Sequence, residues 1–309
     1  MSLSTNSPKS ILSRYGLLPH KQLGQNFLVN QHILSDLLET ADLTPKNVIL
    51  EIGAGSGAIT VELARRAKKV IAVEIDKKLI PILNNAIRDA GMLDKVQIIN
   101  ADILKLRITN DESGIMDNKV NGVNRVNEAS EANEPKKLEK FTPYRLEKSG
   151  SGLKILGAIP YQITSPLLHK LLKLEIPPQL IVLIIQNEVA EKIAAQPPQA
   201  TYLGNFVQSL AKIELVGRPI HPAAFWPQPK VQSRIIKIRP KDPVFTGIEN
   251  IYRWEKFLHR AFSHPRKMLR NVFPTELLEK SGIEPTARPQ EINLEQWKTL
   301  AKSLTSKSN

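Results

Sequence analysis

Pro160 and Tyr161 sit between an apolar run (Ile155, Leu156) and a Ser165-Pro166 pair. A proline-stiffened turn offers backbone carbonyls, and the tyrosine offers one aromatic face. Together they could grip a flat ring bearing an exocyclic amine. Stacking would hold the ring, and the carbonyls would accept the amine hydrogens. The apolar run reads as a strand delivering its carboxyl end to a crevice, with Ser165 as N-cap and Pro166 as first residue of the next helix. The same turn could instead do no more than pack against its own domain.

A second group suits a nucleoside. Gly53, Gly55 and Gly57 follow an apolar run and precede an apolar-periodic stretch through Ile59, Leu63 and Ala64. Such glycines allow a tight turn and a close backbone approach to a ligand at a helix start. Their G-x-G-x-G spacing differs from the G-x-G-x-x-G of dinucleotide folds. Glu74 lies twenty-one residues after Gly53. A doubly wound fold places an acid there to bind the two ribose hydroxyls. Asp102 follows a third apolar run, where it could accept from an adenine amino group or cap the next turn. Asn26 could hydrogen-bond a small ligand or cap the helix expected over 31–41.

These groups need a parallel sheet to present them. Residues 47–53, 70–74, 96–100 and 180–185 are nearly continuous apolar runs, as strands covered on both faces require. Helices are expected between them, with two last strands at 213–216 and 234–238. The proline-rich 219–229 segment carries Phe225 and Trp226, and an aromatic on a stiff loop could clamp a base beside Lys230. Residues 107–153 are rich in Asn, Glu, Lys and Ser and read as a mobile insertion. Residues 1–19 read as a loose arm. After residue 243 the alternation stops, and 254–262, 266–273 and 294–304 read as amphipathic helices. Arg260, His264, Arg266, Lys267 and Arg270 cluster there, as a solvated face or a phosphate track. Domains of 1–242 and 243–309 are therefore expected.

The net charge is +13 and the pI about 9.8 over 309 residues, which favours polyanionic partners. There is no cysteine, which excludes disulfides and thiolate chemistry. No apolar run approaches the roughly 20 residues of a membrane span, and no signal-peptide core is present, so a cytoplasmic protein without a membrane partner is expected.

The ordered set Gln25-Asn26-Phe27-Leu28, Glu51 to Gly57, Glu74-Ile75-Asp76, Asn100 to Leu104, Ile159-Pro160-Tyr161, Gln186 to Ala190 and Phe225 to Val231 is specific, with Ala261-Phe262-Ser263 and Arg266-Lys267 behind it. It resembles the KsgA/RsmA family of small-subunit rRNA adenine dimethyltransferases over nearly the whole chain, apart from the insertion and the arm. The resemblance implies a Rossmann-like S-adenosylmethionine-dependent methyltransferase sheet, α/β in class, with a small C-terminal all-helical domain. It implies donor contacts from Asn26, Leu28, Gly53, Gly55, Glu74, Asp102 and Ala158, and a catalytic turn at Ala158, Pro160 and Tyr161 with Phe225 as second face of the base clamp. Lys230, Arg266, Lys267 and Arg270 are expected on RNA, and no metal is. The expected partner is small-subunit rRNA in an immature small subunit, and the expected state a monomer.

The family's turn begins with Asn, and here Ala158 stands in that place. The alternative is therefore an impaired or silent rRNA-binding assembly factor, unless Gln162 compensates. Pro265 also replaces a usual basic residue. Large-subunit resistance methyltransferases share the turn, but the 261–267 region fits them less well.

Overall fold

A computed structural model describes residues 7–108, 115–117, 152–175, 177–242 and 246–305. In chain order it shows α1 (Pro8–Arg14), β1 (Phe27–Leu28), α2 (Gln31–Ala41), β2 (Val48–Ile52), α3 (Ala58–Arg66), β3 (Lys69–Glu74), α4 (Ile80–Asp89) and β4 (Val96–Asn100). Then come β5 (Leu106–Ile108), β6 (Ile115–Asp117), β7 (Leu153–Ala158), α5 (Thr164–Leu172), β8 (Leu180–Gln186), α6 (Asn187–Ala194) and α7 (Tyr202–Leu210). The last elements are β9 (Ala211–Ile220), β10 (Phe225–Trp226), β11 (Ser233–Pro240), α8 (Ile251–Ala261), α9 (Thr275–Lys280) and α10 (Leu294–Thr305).

The main sheet runs β4-β3-β2-β7-β8-β11-β9. The five strands β4 to β8 of that order are parallel, and β11 runs antiparallel to β8. Both faces are covered, so β2 is buried at every position. Leu37, Leu63 and Leu83, from three helices, pack with Ile49, Leu156 and Val182 of the sheet in one apolar cluster. The chain fills β2, β3 and β4 outward, then returns to lay β7 on the other side of β2. This reversal opens a crevice at the strand carboxyl ends, where open α/β sheets bind ligands.

Several expectations change. Asn30, not Asn26, caps α2, its side chain accepting from the His32 and Ile33 amides. A cap must immediately precede its helix, and Asn26 lies four residues too early. The expected loose arm contains α1, whose Leu12 is fully buried against Leu79 and Ile82. Residues 1–6 lie outside the described residues. Ser165 and Pro166 sit inside the first turn of α5, which starts at Thr164 with Ile163 before it and no side-chain cap. A proline anywhere in a first turn gives up only an amide that has no intrahelical partner. Most of the expected 107–153 insertion lies outside the described residues; its first part pairs β5 with β6 as an antiparallel ladder.

The chain packs as two compact units, Met1–Asn187 with Val216–Arg239, and Glu188–Leu215 with Pro240–Asn309. The second unit therefore reaches beyond the expected 243–309. The Trp254 indole donates to Ser209 Oγ at 2.8 Å, and Lys241 bonds the Leu210 and Gln208 carbonyls, drawing α7 into it. An aromatic cluster of Trp254, Phe257, Phe273 and Trp297 fills its interior. Arg266–Phe273 is not the expected helix. The Leu269 and Arg270 amides donate to the Ala287 and Pro285 carbonyls instead of back along their own segment, leaving a single short turn at Leu269–Asn271.

Candidate active site

The strand ends converge on one cleft. Gly53, Gly55, Glu74, Asp102, Ala158, Pro160, Tyr161, Asn26, Leu28 and Phe225 all line it, as do Ile75, Ile103 and Gln162. Lys230 in the first unit, and Arg266, Lys267 and Arg270 in the second, do not line this cleft and are exposed.

The glycine turn leaves β2 with Gly53, Gly55 and Gly57 at φ 76°, 58° and 90°, a left-handed region that other residues rarely adopt. Glu74 ends β3 and is 4% exposed. One carboxylate oxygen accepts from the Gly55 amide at 2.7 Å, the other from the Asp76 amide at 2.8 Å. Burial raises the Glu74 pKa, and those backbone bonds work against the rise. Each oxygen keeps a second lone pair, the pair of acceptors that the two hydroxyls of a ribose diol can donate to. Asp102 follows β4. Its Oδ1 accepts from the Leu104 amide at 2.9 Å, so it does cap its own turn, and Oδ2 lies 3.5 Å from the exposed Lys105 ammonium.

A Cβ on Gly55 would come within 3.2 Å of the Phe27 ring, and one on Gly53 within 3.7 Å of the Ala158 carbonyl oxygen. The floor is thus bare backbone where a ligand can lie close. The Glu74 carboxylate at the end of β3 and a second carboxylate, Asp102, beyond β4 fit an adenosine-type group carrying a positive charge.

The turn after β7 abuts this floor. Tyr161 starts a short 3-10 turn, Tyr161–Ile163, closed by the Ile163 amide on the Pro160 carbonyl at 3.2 Å. Its hydroxyl lies 2.6 Å from Ser233 Oγ, and burial raises the phenol pKa while that bond opposes the rise. Phe225 is 4% exposed and belongs to the sheet's apolar cluster, so only an edge of it reaches the cleft. Trp226 stacks on Phe27, with centroids 6.2 Å apart. The Gln162 amide donates to the Gln22 carbonyl at 3.4 Å, in the short turn Lys21–Leu23.

Several residues at or beside the cleft were quoted in the sequence motifs without being given a role. Ile75 is 47% exposed beside Glu74, an apolar surface for a flat ring. Gln25 donates to Asp76 at 2.8 Å and so braces the Glu74 turn. The motif Glu51-Ile52-Gly53 contained Glu51, but nothing local showed that its carboxyl is 1% exposed beneath the glycine turn. Burial, with Glu74 nearby, pushes Glu51 up to about 8, partly opposed by Thr60.

A reversed sheet order, a glycine turn with an acid at the next strand, and an aromatic turn facing them define a Rossmann-like methyltransferase. Family comparison narrows the class. The chain belongs to the ribosomal RNA adenine dimethylase family, whose profile matches residues 17–306. Ribosomal RNA small subunit methyltransferase A of Bacillus cytotoxicus is 33% identical over 316 residues, covering 97% of this chain and 96% of its own. The protein of the same name from Alkaliphilus oremlandii is 30% identical over 317 residues, covering 98% of each. Among solved structures, a dimethyladenosine transferase from Plasmodium falciparum superposes with a TM-score of 0.69 at 22% identity, over 91% of this chain and 98% of that one. The 23S rRNA methyltransferase ErmE gives 0.61 at 25% identity, over 91% and 100%.

Proposed function

We propose that this protein transfers methyl groups from S-adenosylmethionine to the exocyclic amines of two adjacent adenosines in a hairpin loop near the 3′ end of small-subunit rRNA. It acts as a monomer in the cytoplasm, on immature small subunits, and so takes part in their assembly. The observation that carries this reading is the junction of two turns at the sheet reversal, with Gly53 facing the Ala158 carbonyl. The full-length similarity to small-subunit enzymes favours that substrate over large-subunit rRNA.

S-adenosylmethionine, when bound, supplies a methyl group on a sulfonium. Glu74 would hold the ribose hydroxyls, and Asp102 the adenine amine. Asn26 and Leu28 form the opposite wall, with Gly53 and Gly55 beneath. The target adenine is turned out of its loop and stacks on Tyr161, with the edge of Phe225 behind it. Pro160 keeps the turn rigid, so that carbonyl acceptors aim the nitrogen lone pair in line with the methyl group. No strong base is needed, since the methylated nitrogen is acidic enough to lose its proton to water. The exposed Lys230, Arg266, Lys267 and Arg270 serve RNA phosphates.

Ala158 favours a second reading, an rRNA-binding assembly factor that keeps the donor cleft but is impaired or silent in transfer. Its methyl side chain cannot accept from an amine, and Gln162 is engaged with Gln22. Labelled donor and immature small subunits distinguish the two. Label in dimethyladenosine supports the enzyme, whereas donor and rRNA binding without label supports the silent factor.

A further inference from the structure

Lys170 stands on the face of α5 toward the turn that follows β4, and its ammonium grips that turn. Nζ donates to the Leu104 carbonyl at 2.9 Å and to the Leu106 carbonyl at 2.5 Å. The turn itself is wound around Asp102. The Leu104 amide bonds the Asp102 carboxylate, and the Lys105 and Leu106 amides bond the Asp102 carbonyl at 2.9 and 3.0 Å. Its amides thus point inward at Asp102, while two of its carbonyls point outward at one cation. Leu106 is fully buried, so its carbonyl has little recourse to water if the cation is removed. Burial lowers the Lys170 pKa, and the Asp102 carboxylate nearby works the other way.

We propose that Lys170 is a positioning residue for the adenine end of the donor, fixing the turn that presents Asp102. This rests on the reading of the cleft as a donor site. The same helix leaves the Tyr161–Ile163 turn at its amino end. One rigid element therefore carries the target turn at its start and clasps the adenine turn two helical turns later, which sets the two ends of the reaction relative to each other. A charged donor on two carbonyls suits this task because the carbonyl dipoles can be met without a further side chain in the cleft.

The test compares two thioethers by calorimetry, S-adenosylhomocysteine and S-inosylhomocysteine, in which oxygen replaces the adenine amine. The wild-type chain is expected to prefer the adenosine compound. Lys170→Met is expected to weaken S-adenosylhomocysteine about tenfold, the scale of one lost charge-assisted bond, while barely changing the inosine compound. Lys170→Arg should restore most of the preference. A folded Lys170→Met that weakens both compounds equally, or neither, overturns the proposal, because a purely structural lysine has no reason to discriminate between them. Should that variant fail to fold, Lys170→Gln decides. An intermediate preference supports the proposal, and a wild-type preference overturns it. Absence of any binding by the wild-type chain overturns the donor-site reading itself, and the role of Lys170 with it.

Discussion

The Tyr161 hydroxyl and Ser233 Oγ lie 2.6 Å apart across 72 residues of sequence, joining the turn after β7 to the first residue of β11. Ser233 is fully buried opposite Gln186 of β8. On the proposed reading Tyr161 stacks on the target base; held at its far end the ring has one orientation to offer, so Ser233 should act on transfer only through Tyr161. Ser233→Ala and Tyr161→Phe are each expected to lower kcat/KM about 3- to 10-fold, a bond worth roughly 0.5–1.5 kcal/mol. The double variant should fall no further than the worse single one. Additive losses would break the link. Tyr161→Ala would remove the proposed stack and should cost about 1–3 kcal/mol of binding to rRNA or transition state.

Ala158 offers the most direct gain. A preorganised acceptor at that position should stabilise charge developing on the amine, so Ala158→Asn is expected to raise kcat on the order of 10²-fold. Single-turnover transfer to immature subunits measures it. If the Asn variant is no faster, the missing acceptor is not what limits this chain.

Glu51 makes stability depend on pH. Its folded pKa of about 8 lies above the usual 4.5, so the native state holds a proton that the unfolded chain releases. The stability this confers is complete below pH 4.5 and is lost as pH rises toward 8, at about 1.4 kcal/mol per pH unit. Glu51→Gln, neutral throughout, should flatten that slope. Urea midpoints at several pH values between those limits check the sign. A wild-type slope in the variant would place the titration elsewhere.

Gly157 is fixed by contact and not by its backbone angles. A Cβ there would sit 2.4 Å from the Ile52 carbonyl oxygen, so β2 and β7 would have to part at the floor of the cleft. Gly157→Ala should destabilise the protein by about 1–3 kcal/mol and weaken S-adenosylhomocysteine as well. Thermal melts with and without that thioether separate the two effects. An unchanged Tm would show that the strands yield more readily than close packing allows.

What was legible in the sequence was local. Continuous apolar runs marked β2, β3 and β8 almost to the residue, because burial on both faces leaves little room for polar alternation. The glycine spacing and the acid at Glu74 were legible for another reason: the ends of successive parallel strands meet at one edge of the sheet. What escaped was settled between distant residues. Ser7 and Pro8 mark the start of α1 locally, but nothing near Leu12 shows that Leu79 and Ile82 bury it. The basic and apolar spacing of 266–273 promised a helix, but its amides are taken by Pro285 and Ala287. Ser233 and Lys170 looked like ordinary strand and helix residues until their partners at 161, 104 and 106 came beside them.

The two-residue ladder of β1 with β10 pairs Phe27 with Trp226 and Leu28 with Phe225. The Val29 amide extends it to the Ala224 carbonyl. One wall of the cleft is therefore secured by residues made nearly two hundred codons later. During synthesis the glycine floor, Glu74 and Asp102 emerge long before that wall can close. That wall therefore cannot close on the cleft before the Phe225-Trp226 segment has been made.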